Sequence, residues 1–344
     1  MISINIIIAI LFFGLLILFH EAGHFAAARI CGVGINEFAV GMGPTVLSHK
    51  SAKSGTSFSL RLLPIGGFVS MNGEDEEGDP NDPTALYNKT KLQRLLVFSA
   101  GALTNIITGF IAMLVFVSLQ PGYPDTTIYS VENSVLAEYG VMQGDKIVKI
   151  GSRSVKIAGD ITDEIMLSGA QPLDITFKRG DEEFTVEGVS FKTVTQDGVE
   201  MGVCDFKLYG VRRSFTQIIK QTFYGCVGTI RLIFSSLWML ISGQYGMEAV
   251  SGPVGTVEVV AEAAAMGWKT LLYFFVVISM NLGVFNLIPF PALDGGHILF
   301  LLIEAIIGRP VGKKAEGIIH AVGFAMLMVL IVAVTFKDIM KIFF

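Results

Sequence analysis

The stretch His20-Glu21-Ala22-Gly23-His24 follows a segment, Met1 to Phe19, that contains no charged side chain. A segment this long and apolar is typical of a membrane-spanning helix. On a helix that advances about 100° per residue, the two histidines lie about 40° apart, and the glutamate falls with them within one arc of about 100°. Two imidazoles beside a carboxylate at this spacing are the pattern of two metal ligands with a general base. The stretch therefore predicts a catalytic zinc site within a membrane.

The first helix has a second interpretation, as a secretory signal peptide. Ala26-Ala27-Ala28 could serve as the small-residue cleavage site that follows the apolar region of such a peptide. Against this interpretation, Met1 to Asn5 carries no cation, whereas signal peptides begin with a positively charged region. Cleavage would also remove both histidines, so we expect the helix to be retained.

The composition of the chain is that of an integral membrane protein. Of its 344 residues, 52% are hydrophobic and only 16% are charged, whereas soluble domains carry about 25% charged residues. The net charge of −5 and the lack of a long basic block argue against nucleic acid as a partner. Cys31, Cys204 and Cys226 form no Cys-x-x-Cys pair, so we expect core residues rather than metal ligands or disulfides.

Windows with little or no charge predict four membrane spans, each long enough for the ~20 residues that a spanning helix needs. These windows are Ile2 to Ile30, Leu95 to Leu119, Thr270 to Ile303 and Gly317 to Phe336. A further stretch, Ser214 to Gly246, is apolar and helical in pattern but is interrupted by Lys220 and Arg231. Taken alone, this stretch could be a fifth span or an amphipathic helix on the membrane surface.

The segment between the first two spans predicts a β-hairpin that lies against the membrane or dips into it. Ser57 to Leu62 alternates polar and apolar residues, which is the pattern of a half-buried strand. Pro64 to Val69, with its two glycines, supplies a turn and a return strand.

The composition changes after the second span, and Pro121 to about Lys207 reads as one small, strand-rich soluble domain. A short helix and the turn Gly144-Asp145 precede an alternating strand, an order that resembles the PDZ module; another small β-rich domain is the alternative. The predicted domains are an N-terminal membrane half (1–120), a PDZ-like domain (121–208) and a C-terminal membrane half (209–344). The predicted fold class is a polytopic α-helical membrane protein with four transmembrane helices, a membrane-associated β-hairpin and one inserted β-rich PDZ-like domain.

A catalytic zinc site takes three protein ligands and a water molecule, so one more ligand is needed. Between Lys269 and Glu304 the sole charged residue is Asp294. A carboxylate buried in a membrane is costly unless it is paired or binds a cation. The prolines and glycines of the surrounding Asn286 to Gly296 should also break the helix, as happens where a helix lines a cavity. Asp294 is therefore the predicted third ligand, and His297 is a secondary candidate.

These motifs resemble the site-2 protease family of intramembrane zinc metallopeptidases, most closely its bacterial branch that includes the regulator of sigma-E protease. The resemblance covers most of the chain. It rests on the HEAGH stretch in the first span, Asn-x-x-Pro-x-Pro-x-Leu-Asp-Gly-Gly in the third, and a single PDZ-like insert between them. It extends to Glu37-Phe38 with Gly41 to Pro44, to Pro64 to Val69, and to Ser251-Gly252-Pro253. One departure is Gly101 to Asn105, where the family usually has Gly-Pro before the asparagine.

The ligand count leads to a mechanism in which His20, His24 and Asp294 bind Zn²⁺. Glu21 is expected to act as the general base that accepts a proton from the attacking water and passes it to the leaving amine.

The resemblance implies further residues and substrates. Asn281 and Asn286 are expected to hydrogen-bond the substrate backbone or the tetrahedral oxyanion, with helix–helix hydrogen bonding as the alternative for both. Asn105 is expected to be structural. The implied substrates are single-span membrane proteins, such as anti-sigma factors or remnant signal peptides, in the plasma membrane of a bacterium. A catalytically inactive binding relative and a transporter with buried polar residues are the alternative functions.

The predicted site also restricts the topology. The HEAGH stretch and Asp294 both lie near the C-terminal ends of their spans, so these spans must run parallel to share a metal ion. A crossing by Ser214 to Gly246 would make them antiparallel, so we expect a surface helix there and four spans. The metal side carries more cations, which predicts that it faces the cytoplasm and that both termini and the PDZ-like domain lie outside. The cations on the metal side are Arg29, Lys89, Lys91, Arg94, Arg309, Lys313 and Lys314, against Lys269, Lys337 and Lys341 on the other.

Overall fold

A computed structural model describes residues 2–74, 81–196, 198–309 and 311–343. The chain divides into two compact units, one formed by 1–112 with 251–344 and the other by 113–250. The long helices of the first unit are α1 (Ile2–Ile30), α2 (Lys91–Ser118, which continues into the second unit), α5 (Pro253–Met266), α6 (Trp268–Leu287), α7 (Asp294–Ile307) and α8 (Lys313–Phe343). A short 3₁₀ helix, Leu86–Asn88, precedes α2.

The helices follow the apolar windows of the sequence, so the protein is a polytopic membrane protein. All four windows are helical, and the third is broken between α6 and α7, as its prolines and glycines predict. Within the described residues, five helices are long and apolar enough to cross a membrane: α1, α2, α6, α8 and α4 (Phe215–Ile241). The fifth of these, α4, is the stretch for which we expect a surface position.

Two long, bent strands, β1 (Ile35–Lys50) and β2 (Ser57–Met71), form a small sheet between α1 and α2. Residues 37–40 pair with 67–70 on one side and with 57–60 on the other, and 57–60 also pair with 47–50. Each strand thus folds back on itself.

The predicted hairpin is therefore only partly correct. Both of its predicted strands exist, but 37–40 lies between them, so they do not pair with each other. Gly41 (φ 88°) and Gly66 (φ 84°) stand where the two strands fold back, in a left-handed conformation that glycine adopts without steric cost.

The second unit contains a six-stranded sheet of order β10-β3-β4-β6-β7, with β5 paired to β4, and a separate β8–β9 hairpin. The strands are β3 (Gly122–Ser130), β4 (Lys146–Ile150), β5 (Arg153–Ser154), β6 (Leu173–Arg179), β7 (Glu182–Val189), β8 (Thr193–Gln196), β9 (Val199–Gly202) and β10 (Lys207–Arg212). The helices are α3 (Ala158–Ser168), α4 and the 3₁₀ turns Val135–Tyr139 and Met247–Ala249. Ile128, Ile147, Ile161 and Phe177 are fully buried in a core that joins the sheet to α3.

The predicted Gly144-Asp145 turn leads into β4, and an ion pair fixes it. The Asp145 carboxylate accepts hydrogen bonds from the Arg179 guanidinium at 2.7 Å and from the backbone amide of Met142 at 2.9 Å. Hydrogen bonding to Arg179 holds the pKa of Asp145 below its usual value. The turn is thus tied to the neighbouring strand β6.

Candidate metal centre

Three predicted ligands, which lie far apart in the sequence, meet at one point in the first unit. The Nε2 atoms of His20 and His24 lie 3.2 and 3.3 Å from Oδ2 of Asp294 and 3.2 Å from each other. Four tetrahedral ligands about 2.0–2.1 Å from a zinc ion would be separated by about 3.3 Å. The three donor atoms therefore already have the spacing that a tetrahedral zinc site requires.

Apart from one another, the donor atoms have few partners. Beyond the two imidazoles, the buried Oδ2 of Asp294 has no hydrogen-bond donor within the part of the chain that the structure describes. His20 and His24 are themselves buried. Because buried carboxylates in proteins are paired or bind metals, this cluster of two imidazoles and one carboxylate fits a zinc ion.

Both rings present Nε2 because their Nδ1 atoms are engaged elsewhere. Nδ1 of His24 donates a hydrogen bond to the backbone carbonyl of Val97 on α2 at 2.9 Å. Nδ1 of His20 faces the side-chain amide of Asn105, also on α2, at 3.3 Å. Such outer contacts fix the orientation of a metal-binding imidazole. Helix α2 supplies them for both histidines.

Two glycines allow α1 and α2 to come this close. A Cβ atom at Gly101 would collide with Nε2 of His24 and would lie 2.7 Å from Cε1 of His20. A Cβ atom at Gly23 would lie 2.5 Å from the backbone carbonyl of Ala100. Small residues are what let two membrane helices approach at backbone distance. The glycine of the HEAGH stretch is therefore a packing residue.

Asp294 is presented by the break between α6 and α7. It is the first residue of α7, where the exposed amides of a helix N-terminus favour a carboxylate. The next residue, Gly295, packs so closely on the break that a Cβ atom there would collide with the carbonyl oxygen of Ile288. At the other end of α7, Glu304 accepts a hydrogen bond from Arg94 of α2 at 2.8 Å. The double glycine and this ion pair set where the carboxylate lies.

Glu21 lies between the three donor atoms and the small sheet. Its carboxyl group interacts electrostatically with His20, His24 and Asp294, and a backbone hydrogen bond joins it to Val69 of β2. A Cβ atom at Gly67 of the same strand would lie 3.5 Å from the Glu21 side chain. A carboxylate beside three converging donor atoms is in a position to accept a proton from a water molecule bound among them.

The other predicted residues occupy less specific positions. Asn281 lies within α6, and its side-chain oxygen is buried without a partner within the described part of the chain. Asn286 lies in the last turn of α6 and is half-buried. His297 does not join the three donor atoms; its Nδ1 atom lies 3.4 Å from the carboxylate of Glu316. His297, Glu316 and His320 form a separate group.

The sequence gives little indication of the supporting residues. Asn105, expected to be structural, is fully buried against the His20 ring, a contact that the sequence does not indicate. Gly101 and the carbonyl of Val97 are missed because a glycine and a backbone atom in an apolar helix resemble ordinary packing. The spacing of Gly101 and Asn105, one helical turn apart, is the one signal that marks a common face.

Comparison with known proteins gives consistent matches over nearly the whole chain. Residues 8–330 match the model of peptidase family M50. A putative zinc metalloprotease of Clostridium perfringens is 38% identical over 341 residues, which cover 97% of this chain and 98% of the relative. The probable protease eep of Enterococcus faecalis is 30% identical, covering 99% of this chain and 100% of that protein. The regulator of sigma-W protease RasP of Bacillus subtilis is 28% identical, with 99% of each chain covered.

Proposed function

The chain belongs to peptidase family M50, the site-2 protease family, and is a zinc metalloprotease of the membrane; on this premise we propose that His20, His24 and Asp294 hold the zinc ion and that Glu21 is the general base. The observation that carries the assignment is the triangle of donor atoms, with edges of 3.2 and 3.3 Å. Family membership argues against the transporter alternative.

The chemistry follows from these four side chains. When bound, zinc supplies a Lewis acid that makes water near it acidic enough to react at neutral pH. Glu21 accepts a proton from the water as its oxygen attacks the substrate carbonyl, and it then donates that proton to the leaving amine. The backbone hydrogen bond to Val69 orients the glutamate for both transfers. Asn281 and Asn286 donate hydrogen bonds to the substrate backbone or to the oxyanion.

The substrates that fit this site are single-span membrane proteins. A helix hides its scissile bonds within its own hydrogen bonding, so the substrate must be extended locally. Residues 67–70 lie at an edge of the small sheet, beside Glu21, where an extended peptide can add as a further strand. Met42, Leu47 and Leu62 of the sheet expose apolar side chains that suit contact with lipid. Because one relative is named a regulator of sigma-W protease, anti-sigma factors are one class of candidate substrate, and remnant signal peptides are another.

We further infer that four helices, α1, α2, α6 and α8, cross the membrane and that α4 lies on its surface. Arg231, in the middle of α4, forms ion pairs with Glu164 at 3.2 Å and Asp160 at 3.7 Å, both on α3 of the soluble domain. A Cβ atom at Gly228 would lie 3.3 Å from the Asp163 carboxylate. The middle of a spanning helix would be in hydrocarbon, where three carboxylates are too costly. These contacts therefore favour a surface helix.

The domain and membrane assignments follow from this topology. The metal centre lies towards the cytoplasmic side of a bacterial plasma membrane, and the 121–208 domain lies outside, as the cation distribution predicts. The sheet and α3 of this domain suit a PDZ-like module, which would select substrates by their ectodomains rather than take part in the chemistry. The membrane halves are then 1–120 and 209–344.

Two variants of the purified protein test the catalytic assignment. Glu21→Gln should retain one zinc ion per chain and fail to cleave a single-span reporter protein, because the base is lost and the ligands are kept. Asp294→Asn should lose most of its zinc, because a neutral amide is a poor ligand. Unchanged cleavage by Glu21→Gln would reject the general base, and full zinc retention by Asp294→Asn would reject the ligand. A wild-type protein that binds zinc and cleaves no membrane substrate would favour the inactive binding relative.

A further inference from the structure

The loop that presents Asp294 rests on helix α8. Pro291 and Ala292 lie in the segment 288–293 that connects α6 to α7. Ala292 has φ of 81°, a left-handed conformation that residues with a side chain rarely adopt. Its backbone amide, outside any helix or strand, donates a hydrogen bond to Nδ1 of His320 at 3.1 Å. An imidazole on α8 thus satisfies the amide two residues before the carboxylate.

A second contact, one helical turn along α8, supports the same loop. A Cβ atom at Gly323 would lie 2.5 Å from Cβ and 2.6 Å from the carbonyl oxygen of Pro291. His320 and Gly323 are three residues apart and therefore lie on one face of α8. Cε1 of His320 also faces Gly296 of α7, where an added Cβ atom would lie 3.1 Å away. The loop is therefore held between α7 and α8.

The His320 ring also belongs to a stack that reaches the histidine side of the metal centre. It stacks on His297 of α7 with ring centroids 4.1 Å apart, and His297 stacks on Phe98 of α2 at 4.8 Å. Phe98 follows Val97, whose carbonyl accepts the hydrogen bond from His24. The stack therefore joins α2, α7 and α8 beside the two histidine ligands and beside the loop that carries Asp294.

A second metal site at His297, Glu316 and His320 is the competing explanation for this group. Imidazole binds zinc in the plane of its ring, about 2.0–2.1 Å from the nitrogen. The two stacked rings are inclined by only 19°, so an ion in the plane of one lies well out of the plane of the other. Nδ1 of His320 also accepts the Ala292 hydrogen bond, which leaves the proton on Nε2. The geometry thus disfavours a metal ion here.

From these contacts we propose that His320 is a positioning residue: its hydrogen bond to Ala292 holds the loop in the conformation that delivers Asp294 to the zinc ion. The proposal rests on the zinc ligands proposed above. His320 itself touches neither metal nor substrate. Its role is that of an outer residue that orients a ligand, of the kind whose loss weakens metal affinity by about 10- to 100-fold.

Two substitutions separate the hydrogen bond from the ring. His320→Asn places an oxygen acceptor where Nδ1 stands and removes the ring, whereas His320→Phe keeps a ring and removes the acceptor. We expect His320→Phe to weaken zinc affinity by about 10- to 100-fold, to change the absorption spectrum of the cobalt-substituted protein and to lower kcat more than KM. His320→Asn should remain within about threefold of wild type. Phe324→Leu, at an exposed position on α8, is the control and should have no effect.

The measurement is zinc affinity of the full-length protein by chelator competition, with the cobalt spectrum and kinetics beside it. Wild-type affinity and spectrum in His320→Phe would overturn the proposal, as would a His320→Asn defect equal to that of His320→Phe. If His320→Phe does not fold, the double variant His320→Phe with Ala292→Gly tests the proposal instead, since glycine at position 292 adopts the positive φ without the His320 hydrogen bond. It should recover zinc binding, and failure of a folded double variant to do so would count against the proposal.

Two controls identify the source of a failure. Asp294→Asn should lose zinc in the same assay. If it keeps its zinc, the proposed ligand set is wrong. If Asp294→Asn loses zinc but His320→Phe does not weaken zinc binding, only the positioning role of His320 is rejected. Wild-type protein should hold one zinc ion per chain, and Glu316→Gln should hold the same. Two ions per chain, reduced to one by Glu316→Gln, would replace the positioning role with a second metal site.

Discussion

The side-chain amide of Asn105 lies 3.3 Å from Nδ1 of His20, while Nε2 of the same ring faces Asp294. Oδ1 of Asn105 is buried and has no partner within the described part of the chain. An imidazole that binds zinc through Nε2 carries its proton on Nδ1 and needs an acceptor there. Rotating the Asn105 side-chain amide by 180° would place its oxygen, which has no other partner among the described residues, against Nδ1 of His20 as that acceptor.

Asn105 variants should therefore change zinc affinity. We expect Asn105→Leu to weaken it by about 10- to 100-fold, because the His20 ring loses its orienting partner. Asn105→Asp should bind zinc better than Asn105→Leu, because a carboxylate accepts the same proton. Ser279→Ala is the matched control, since Ser279 donates its hydrogen bond to the Asn105 backbone carbonyl rather than to the side-chain amide. Chelator competition gives the affinities; equal zinc binding by Asn105→Leu and wild type would contradict the role.

A methyl group at Gly101 should abolish the metal centre without unfolding the protein. In Gly101→Ala the added carbon collides with Nε2 of His24, so we expect loss of zinc and of cleavage. Gly109→Ala, two turns along α2, is the control, because its nearest neighbour is the flexible Met280 side chain at 3.0 Å. Zinc content by atomic absorption and the circular dichroism spectrum separate the two effects. Normal zinc content in Gly101→Ala would contradict this prediction and show that α1 and α2 can move apart to accommodate the methyl group.

The position of α4 can be tested by cysteine labelling. In a background without the three native cysteines, Thr216→Cys and Gln244→Cys introduce exposed thiols at the two ends of α4. A surface helix places both thiols on one side of the membrane, the same side as Glu132→Cys in the 121–208 domain. Lys53→Cys, in the turn between β1 and β2, should react from the other side. An impermeant maleimide applied to membrane vesicles of both orientations gives the result. Labelling of the two α4 ends from opposite sides would mean that α4 spans.

The contact between α3 and α4 should depend on pH through Asp163. Burial raises the pKa of this carboxyl to about 6, with Asp160 and Glu164 acting in the same direction and Arg231 against them. In the unfolded chain the pKa of this carboxyl is about 4, so the folded protein holds the proton more tightly. The resulting contribution to stability is fully present below about pH 4 and is lost as the pH rises through about 6.

Asp163→Asn does not titrate, so it should be more stable than wild type at pH 7, on the order of 1 kcal/mol after allowance for solvent screening. The difference should shrink towards pH 4. Thermal unfolding of the purified protein from pH 4 to pH 8 measures it, with Glu132→Gln at an exposed position as the control. An Asp163→Asn effect that is the same at every pH would rule out titration of this carboxyl as its source.

The parts of the fold that depend on local composition could be predicted from the sequence. Charge-free windows locate α1, α2, α6 and α8, and Asp294 stands out because a lone carboxylate in such a window is costly. The break before Asp294 follows from its prolines. The requirement that His20, His24 and Asp294 share one ion then leads to their convergence, which the donor distances display.

Other parts depend on contacts between distant residues and could not be predicted. Residues 37–40 lie between two strands that follow each other in sequence, and strand alternation does not specify which strands pair. Asn105, Gly101 and His320 contact residues on other helices, so their types alone suggest only ordinary packing. The length and hydropathy of α4 fit a span as well as a surface helix. The ion pairs of Arg231 with α3, which support the proposed surface position, cannot be read from the sequence.

The close packing of Gly23 and Gly101 has a consequence for how a substrate reaches the site. Where these glycines meet, α1 and α2 leave no room for a methyl group, so an extended polypeptide cannot pass between them. The route to the three donor atoms must therefore open on another side, and Glu21 with the 67–70 edge lies on one such side. A peptide that arrives along that edge would meet Glu21, the proposed general base, before it meets the two histidines.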